Sequence, residues 1–264
     1  MESCIYVQGG GFLSARESWV IDLDGVLWLM DDPIAGSVEA VDHLLEAGVE
    51  VTFATNNGLL TKAEYSAKLE RIGVDSGRVK LISSASAAAS LLEPGERAYV
   101  VGGAGVIEAL AERGVEVVDS SDVDVVVAGW DRDISYQKLA RACRALRTKG
   151  ARLVAANADP IYPTPQGPLP GAGSIIAAVV AAGGVAPTWA GKPEAPMAAA
   201  VRALVGEPTL MVGDRLETDG AFARQLGCDF ALVMSGVTKD TPGEEDRVAH
   251  VSDDLASLVE KLVG

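Results

Sequence analysis

The sequence has few cysteines, few aromatic residues and no long apolar run. The three cysteines, Cys4, Cys143 and Cys228, are odd in number and far apart, so they indicate neither a disulfide framework nor a zinc site. Reduced thiols are typical of cytoplasmic proteins. The longest apolar stretch, residues 175–182, is too short to span a bilayer, and residues 1–17 lack the pattern of a secretory signal. We therefore expect a cytoplasmic protein without a membrane partner.

Basic residues are also scarce, because 22 Lys and Arg stand against 37 Asp and Glu, which gives a net charge of -15. Nucleic-acid binding needs a basic surface, so no nucleic-acid partner is expected. Abundant acid with only 8 lysines suggests a salt-adapted cytoplasm, in which salt screens the repulsion between carboxylates. An ordinary acidic bacterial or archaeal protein is the alternative. Stability measured from low to molar salt separates the two.

Short apolar runs alternate with helical patterns along much of the chain. Residues 37–47 predict a helix that stops at Gly48, and the capping box of Thr61 and Glu64 opens another helix. Buried parallel strands are predicted by four runs, at residues 19–21, 51–54, 187–190 and 209–212. Strands that alternate with helices favour an α/β fold with a doubly wound parallel sheet.

The middle of the chain predicts a second α/β domain. It contains three further strand patterns, a helix over 135–149 and a proline-rich loop over 159–170. If the polar clusters on either side of this block belong to one site, the block is an insertion. We therefore expect a core domain formed by residues 1–95 and 187–264, and an inserted cap domain formed by residues 96–186.

Two aspartates follow the first predicted strand. Asp22 and Asp24 start on the same side as the strand ends, and Gly25 allows a sharp turn. Carboxylates this close repel each other unless a cation joins them, and Mg²⁺ is the natural choice. One carboxylate could then attack a substrate while the other moves a proton. The alternative is a solvated turn.

A second acidic pair follows the strand at 209–212. Asp214 could complete a carboxylate site for the same ion, and Asp219 could bind the ion directly or through a water molecule. Aspartate is also a favoured residue where a strand leads into a helix, so a helix cap is the alternative for both. For Asp219, capping or a water-mediated role is at least as well supported as direct binding.

Phosphate-binding chemistry is predicted at the two remaining strand ends. Thr55 and Asn56 supply a hydroxyl and backbone N–H groups just before a helix, where phosphate binds well. Lys192 could neutralise phosphate charge and position a nucleophile. A helix cap is the alternative for Thr55 and Asn56, and an ordinary surface lysine is the alternative for Lys192.

These clusters together resemble the haloacid dehalogenase superfamily, and more narrowly its NagD and p-nitrophenyl phosphatase branch. The matching segments are Asp22-Leu23-Asp24-Gly25-Val26, Thr55-Asn56-Asn57, Gly191-Lys192-Pro193 and Gly213-Asp214-Arg215-Leu216-Glu217-Thr218-Asp219. Segments at 130–133, 157–160 and 170–175 also resemble the cap of that branch. The resemblance implies a Rossmann-like core with a cap inserted between the second and third motifs.

The resemblance also implies a role for each matching residue. Asp22 would be the nucleophile that forms an aspartyl-phosphate, and Asp24 would protonate the leaving alcohol and then activate water. Mg²⁺ would be bound by Asp22, the backbone carbonyl of Asp24, and Asp214. The phosphoryl group would be held by Thr55, the Asn56 amide and Lys192.

The sequence therefore predicts a magnesium-dependent phosphatase that acts on a small phosphorylated metabolite. A non-catalytic phosphate sensor and a phosphotransferase with the same site are the alternatives. Within the cap, Asp159 is a candidate for substrate selection, and Gly171 and Gly173 would permit close backbone approach. The identity of the metabolite and the formation of a homo-oligomer are left open by the sequence.

Overall fold

The computed structural model describes residues 17–162, 164, 166–243 and 246–264. Residues 1–16, which include Cys4, lie outside the described residues. The chain forms two compact units. The first unit comprises the described part of Met1–Ala54 together with Ser66–Leu81 and Val201–Gly264, and the second comprises Thr55–Tyr65 and Ile82–Ala200. The α/β fold class is confirmed, since each unit is built around a largely parallel sheet.

The first unit is built around a six-stranded sheet. Its strands are β1 (Ser18–Ile21), β4 (Glu50–Thr55), β5 (Lys80–Ser83), β13 (Leu210–Gly213), β14 (Asp229–Val233) and β15 (His250–Ser252). They lie in the order β15-β14-β13-β1-β4-β5, and β1 pairs in parallel with both β13 and β4. All four residues of β1 and all four of β13 are buried, which explains their continuous apolar runs.

The other elements of the first unit are helices, one hairpin and one π-helical turn. The hairpin follows β1 and consists of β2 (Trp28–Leu29) and β3 (Asp32–Pro33). The helices are α1 (Ser37–Glu46), part of α2 (Lys62–Ile72), the end of α7 (Ala195–Val205), α8 (Ala221–Leu226) and α9 (Leu255–Leu262), and the π turn covers Leu216–Gly220. Both helices predicted before residue 75 are thus present as α1 and α2.

The second unit contains a five-stranded sheet in the order β12-β9-β8-β6-β7. Its strands are β6 (Arg97–Val101), β7 (Glu116–Val117), β8 (Val125–Ala128), β9 (Arg152–Ala155) and β12 (Thr188–Trp189). The helices are α3 (Ser84–Ala89), α4 (Ala104–Glu112), α5 (Tyr136–Thr148) and α6 (Ala172–Gly183). Side chains from α5 and α6 share one apolar cluster with β6, β8 and β9, as the amphipathic pattern of α5 predicts.

Two details of the predicted strand pattern are wrong. The run at 187–190 does not join β1, β4 and β13 in one sheet, because β12 pairs with β9 in the second sheet. An apolar run indicates a buried strand but carries no information about its partner strand. The predicted loop at 159–170 contains a short hairpin, β10 (Ile161–Tyr162) with β11 (Leu169–Pro170). Within the described part of the chain, none of the helices has the length and apolarity needed to cross a membrane.

Candidate active site

In the first unit, Asp22 directly follows β1 and continues its pairing. The Asp22 N–H donates to the Val212 carbonyl at 2.9 Å, so the residue is held at the end of the sheet. The Asp22 carboxylate accepts from the Leu23 N–H at 2.7 Å, and the residue is only 8% exposed. Gly25 then has φ 91°, a left-handed conformation that favours glycine. The sharp turn predicted after Asp24 is therefore present.

Asp214 and Asp219 follow β13 in the same unit, and both are buried. The Asp214 carboxylate accepts from the Val237 N–H at 2.6 Å. Asp219 lies in the π turn, and its carboxylate accepts from the Arg215 N–H at 3.2 Å. These contacts fix the two carboxylates through nearby backbone groups.

Three glycines make room for these carboxylates. A Cβ at Gly25 or Gly236 would collide with the carboxylate of Asp214, and a Cβ at Gly213 would collide with the side chain of Asp219. The backbone at the end of β13 and in two turns therefore lies directly against the two acids. Any larger residue at these positions would displace a carboxylate or the backbone that faces it.

The carboxylates of Asp22, Asp214 and Asp219 form a compact acidic group. Each offers one oxygen, and these oxygens lie within 4.8 Å of one another. Three buried carboxylates this close repel each other strongly unless a cation neutralises them. Oxygen ligands suit hard divalent cations such as Mg²⁺ and Ca²⁺, so the donor set fits a divalent metal. Sequence reasoning left direct binding, binding through water and capping open for Asp219; its carboxylate lies within this group and also accepts from the Arg215 N–H.

The Asp24 side chain makes a different contact. Its Oδ1 accepts from the indole Nε1 of Trp28 at 3.1 Å. The turn between them is tight, because the Leu23 carbonyl accepts from Trp28 N–H and the Trp28 carbonyl accepts from Gly25 N–H. Sequence reasoning missed Trp28. Its spacing of four residues from Asp24, within a turn that starts at a strand end, was the available signal.

The second unit holds Thr55 and Asn56, which end β4 and begin the following turn. Thr55 is 1% exposed, and its hydroxyl accepts from the Asn57 N–H at 3.0 Å. The Asn56 carbonyl accepts from Ser84 Oγ and from Asn157 Nδ2, both at 2.6 Å. The segment after β4 is thus anchored to two other parts of the second unit.

The Asn56 side-chain amide forms two hydrogen bonds with the backbone of Lys192. Its Oδ1 accepts from the Lys192 N–H at 2.7 Å, and its Nδ2 donates to the Lys192 carbonyl at 3.1 Å. Lys192 itself is 3% exposed, so the alternative of an ordinary surface lysine is wrong. Burying an ammonium group is costly, which favours a role that needs its charge. We call this arrangement the Asn56–Lys192 pair.

Of the predicted specificity residues, Asp159 contacts the pair, and Gly171 and Gly173 contact the backbone around Asp159. The Asp159 carboxylate accepts from Asn56 Nδ2 at 2.9 Å. Gly171 precedes α6 and its N–H donates to the Pro160 carbonyl, while the Gly173 N–H donates to the Asp159 carbonyl. A Cβ at either glycine would collide with the backbone of residues 158–161. The close approach that these glycines permit is therefore made by the protein's own backbone.

Comparisons with known proteins agree with this chemistry. Residues 19–116 match the family model of haloacid dehalogenase-like hydrolases, and residues 189–258 match a second model, HAD-hydrolase-like. The acid sugar phosphatase of Staphylococcus haemolyticus is 35% identical over 84% of this chain and 86% of its own length.

Two solved structures extend the comparison. The p-nitrophenyl phosphatase from Archaeoglobus fulgidus superposes with a TM-score of 0.85 at 29% identity, over 94% of this chain and 100% of its own. The glycerol phosphate phosphatase from Mycobacterium tuberculosis, in complex with magnesium, gives a TM-score of 0.83 at 33% identity, over 92% and 77%. The chain therefore belongs to the haloacid dehalogenase-like hydrolases, in the branch of NagD and the p-nitrophenyl phosphatases, and is a phosphoric monoester hydrolase.

Proposed function

We propose that the protein hydrolyses small phosphomonoesters with the help of Mg²⁺ and through an aspartyl-phosphate on Asp22. The observation that carries the proposal is the buried acidic group of Asp22, Asp214 and Asp219. Asp22, Asp214 and the Asp24 backbone carbonyl would hold Mg²⁺, with Asp219 beside them. When bound, the ion offsets the negative charge of the phosphate and of the carboxylates. The magnesium complex of the relative from M. tuberculosis supports this choice of metal.

Two steps account for the reaction. A carboxylate oxygen of Asp22 attacks phosphorus, the bond from phosphorus to the ester oxygen breaks, and Asp24 gives its proton to the leaving alcohol. Water then attacks the same phosphorus while Asp24 takes a proton from it, and the bond to Asp22 breaks to release inorganic phosphate. Each step needs Asp24 in the opposite protonation state, so one carboxyl serves as acid and then as base.

Thr55, the Asn56 backbone amide and Lys192 are assigned to the phosphoryl group. A hydroxyl, an N–H and an ammonium are the donors that phosphate oxygens accept best. Phosphoryl transfer depends mainly on positioning and charge stabilisation. The burial of Lys192 and its fixed backbone support this assignment, because a held cation does not have to be reorganised during the reaction.

The substrate class is proposed as small phosphorylated sugars and polyols. Relatives named acid sugar phosphatase and glycerol phosphate phosphatase support it. We also propose that residues 96–186 form a cap domain and that Asp159, Gly171 and Gly173 belong to its selecting loop. Replacing Asp159 with alanine should change the order of kcat/KM values across a panel of phosphorylated metabolites. An unchanged order, with all values lowered alike, would contradict the role of Asp159.

The decisive experiment is Asp22→Asn, assayed with Mg²⁺ and p-nitrophenyl phosphate. We expect hydrolysis to be abolished and the unfolding transition to be kept, because asparagine has the same shape but cannot act as the nucleophile. Asp253→Asn, at an exposed aspartate of the first unit, is the matched control and should keep its activity. Acid-quenched wild-type enzyme should carry phosphate that hydroxylamine releases. Retained turnover in Asp22→Asn would refute the nucleophile.

A cytoplasmic location is proposed together with salt adaptation of the acidic surface. The net charge of -15 and the low lysine content support the salt adaptation, and the three widely separated cysteines support the location. If the proposal is right, the free energy of unfolding rises between low and molar KCl as the carboxylates are screened. A free energy that stays constant or falls would leave an ordinary acidic enzyme. Light scattering across the same salt series would test for a homo-oligomer.

A further inference from the structure

We propose that Trp28 and Lys68 are positioning residues that hold the Asp24 carboxyl in the orientation required to protonate the leaving alcohol. The inference rests on the proposed function, in which Asp24 is the acid. It adds two residues that lie outside the motifs of the chemical site. Both residues belong to the first unit, as does Asp24.

The indole of Trp28 provides the direct contact with Asp24. Trp28 is 1% exposed, and its Nε1 donates to Asp24 Oδ1 at 3.1 Å. An indole N–H is a donor only, so the carboxyl oxygen that it contacts acts as an acceptor, and the ring fixes the orientation of the carboxyl group through that oxygen. The Trp28 carbonyl also accepts from the Gly25 N–H at 2.8 Å, so the ring and Asp24 belong to one closed turn.

Lys68 contacts the face of the indole. It extends from α2, and its Nζ lies 4.1 Å from the centroid of the Trp28 ring. The same ammonium donates to the Met30 carbonyl and lies 3.6 Å from the Asp31 carboxylate. Met30 and Asp31 form the turn of the hairpin that begins with Trp28, and Met30 has φ 56°. One cation therefore contacts both the ring and the turn of the hairpin.

The burial of Lys68 and the charges around it support a specific role for its contact with Trp28. Its side chain is only 12% exposed, although lysine is normally a surface residue. Burial lowers the pKa of Lys68, and the carboxylates of Asp24 and Asp31 partly oppose this effect. Arg71 also lies 3.5 Å from the Asp31 carboxylate, but it is 60% exposed, so Lys68 is the more buried of these two cations. A cation over an aromatic ring limits the tilt of that ring, which here carries the donor to Asp24.

A purely structural role for these residues predicts a different outcome from a positioning role. Loss of packing lowers the rate on every substrate by the same factor. Loss of acid positioning matters most when the leaving oxygen is strongly basic and needs the proton early. Phenyl phosphate and p-nitrophenyl phosphate share a ring, but the nitro group withdraws electrons and makes the second a better leaving group. The ratio of kcat/KM on these two substrates isolates the protonation step.

The test is Trp28→Phe, which keeps the ring and removes the N–H. We expect kcat/KM to fall about tenfold or more on phenyl phosphate, but by only about twofold on p-nitrophenyl phosphate, since general acids contribute 10²–10⁴ to a rate. Trp19→Phe, which removes a similarly buried indole from β1, should leave the ratio unchanged. If Trp28→Phe lowers kcat/KM by the same factor on both substrates, or not at all, the ratio is unchanged and the inference is overturned.

Lys68 is tested with Lys68→Met and Lys68→Arg. The methionine should shift the ratio in the same direction by about threefold, and arginine, which also stacks on aromatic rings, should restore most of it. Lys80→Met, at a partly exposed lysine of the same unit, is the control. An unchanged ratio in Lys68→Met would remove Lys68 from the inference. The proposed function itself would instead be refuted if the wild-type enzyme did not hydrolyse these substrates, or if Asp22→Asn remained active.

Discussion

The acidic group of the first unit and the Asn56–Lys192 pair of the second unit are held in place by different means. Asp214 and Asp219 are fixed by neighbouring backbone N–H groups and by glycines that leave no room for a Cβ. The Lys192 backbone is held by the side-chain amide of Asn56, which lies 136 residues away in sequence. Substitutions that add atoms should therefore disturb the acidic group, whereas substitutions that remove atoms should disturb the Asn56–Lys192 pair.

Among the variants that probe these two groups, Asp214→Asn should have the largest effect, because it removes a carboxylate of the acidic group. Activity should fall by more than about 100-fold, because even an outer partner of a metal ligand is worth 10–100-fold. Saturating Mg²⁺ should stabilise the wild type by about 2.7 kcal/mol at 100 times the Kd and should not stabilise the variant. Urea unfolding with and without Mg²⁺ measures this. A variant that keeps the full Mg²⁺ response would remove Asp214 from the site.

The next largest effect is expected when one methyl group is added beside the acidic group. In Gly213→Ala the new Cβ would overlap the Asp219 side chain, and overpacking of this kind costs about 1–3 kcal/mol of unfolding free energy. The Mg²⁺ response should weaken as well. Gly77→Ala is the matched control, because its Cβ would meet only the end of the exposed Asp75 side chain. Equal stability of the two alanine variants would contradict the glycine argument.

Removing the amide from the Asn56–Lys192 pair should lower activity without weakening the Mg²⁺ response. Asn56→Ala leaves the Lys192 N–H and carbonyl without their amide partner, which costs about 1–3 kcal/mol. We expect activity to fall about tenfold or more while the Mg²⁺ response stays intact. Asn57→Ala, which loses one hydrogen bond to Leu59, is the control. A lost Mg²⁺ response in Asn56→Ala would show that the two groups are not independent.

A substitution in neither group provides the baseline. The Thr61 N–H and hydroxyl both donate to Glu64 at 2.8 Å, and Thr61→Ala should cost about 1 kcal/mol of stability without changing activity. These hydrogen bonds lower the pKa of Glu64. The stabilisation is therefore present above the pKa of Glu64 in the unfolded chain and is lost as the pH falls through its lower pKa in the folded protein. Alanine keeps the N–H and removes only the hydroxyl, so the cost of Thr61→Ala should be larger at neutral pH than at acid pH. Urea unfolding at the two pH values measures the difference, and a pH-independent cost would contradict this assignment.

Local pattern was sufficient to predict some parts of the fold and insufficient for others. An apolar run that ends in an acid correctly predicted the strands before Asp22 and Asp214, because strand burial and strand ends are encoded locally. The partner of β12 was not predictable, since strand pairing depends on distant segments.

The contacts of individual side chains follow the same rule. Two of these contacts join residues that are far apart in sequence. Asn56 hydrogen-bonds to the Lys192 backbone, and Lys68 lies over the Trp28 ring. No local pattern in the sequence predicts either contact. The roles assigned to the site residues rest on the resemblance and stay predictions until the variants are measured.

The three glycines beside the acidic group have a consequence for reading natural variation. Gly25, Gly213 and Gly236 are scattered along the chain, yet each faces the Asp214 or Asp219 side chain. A deep mutational scan selected for phosphatase activity should therefore show that all three positions accept no replacement, even by alanine. Gly25 and Gly236 are distant from Asp214 in sequence, and their tolerance profiles should match that of Asp214 more closely than those of the residues beside them. Such a scan would outline the metal centre genetically, without a bound ion.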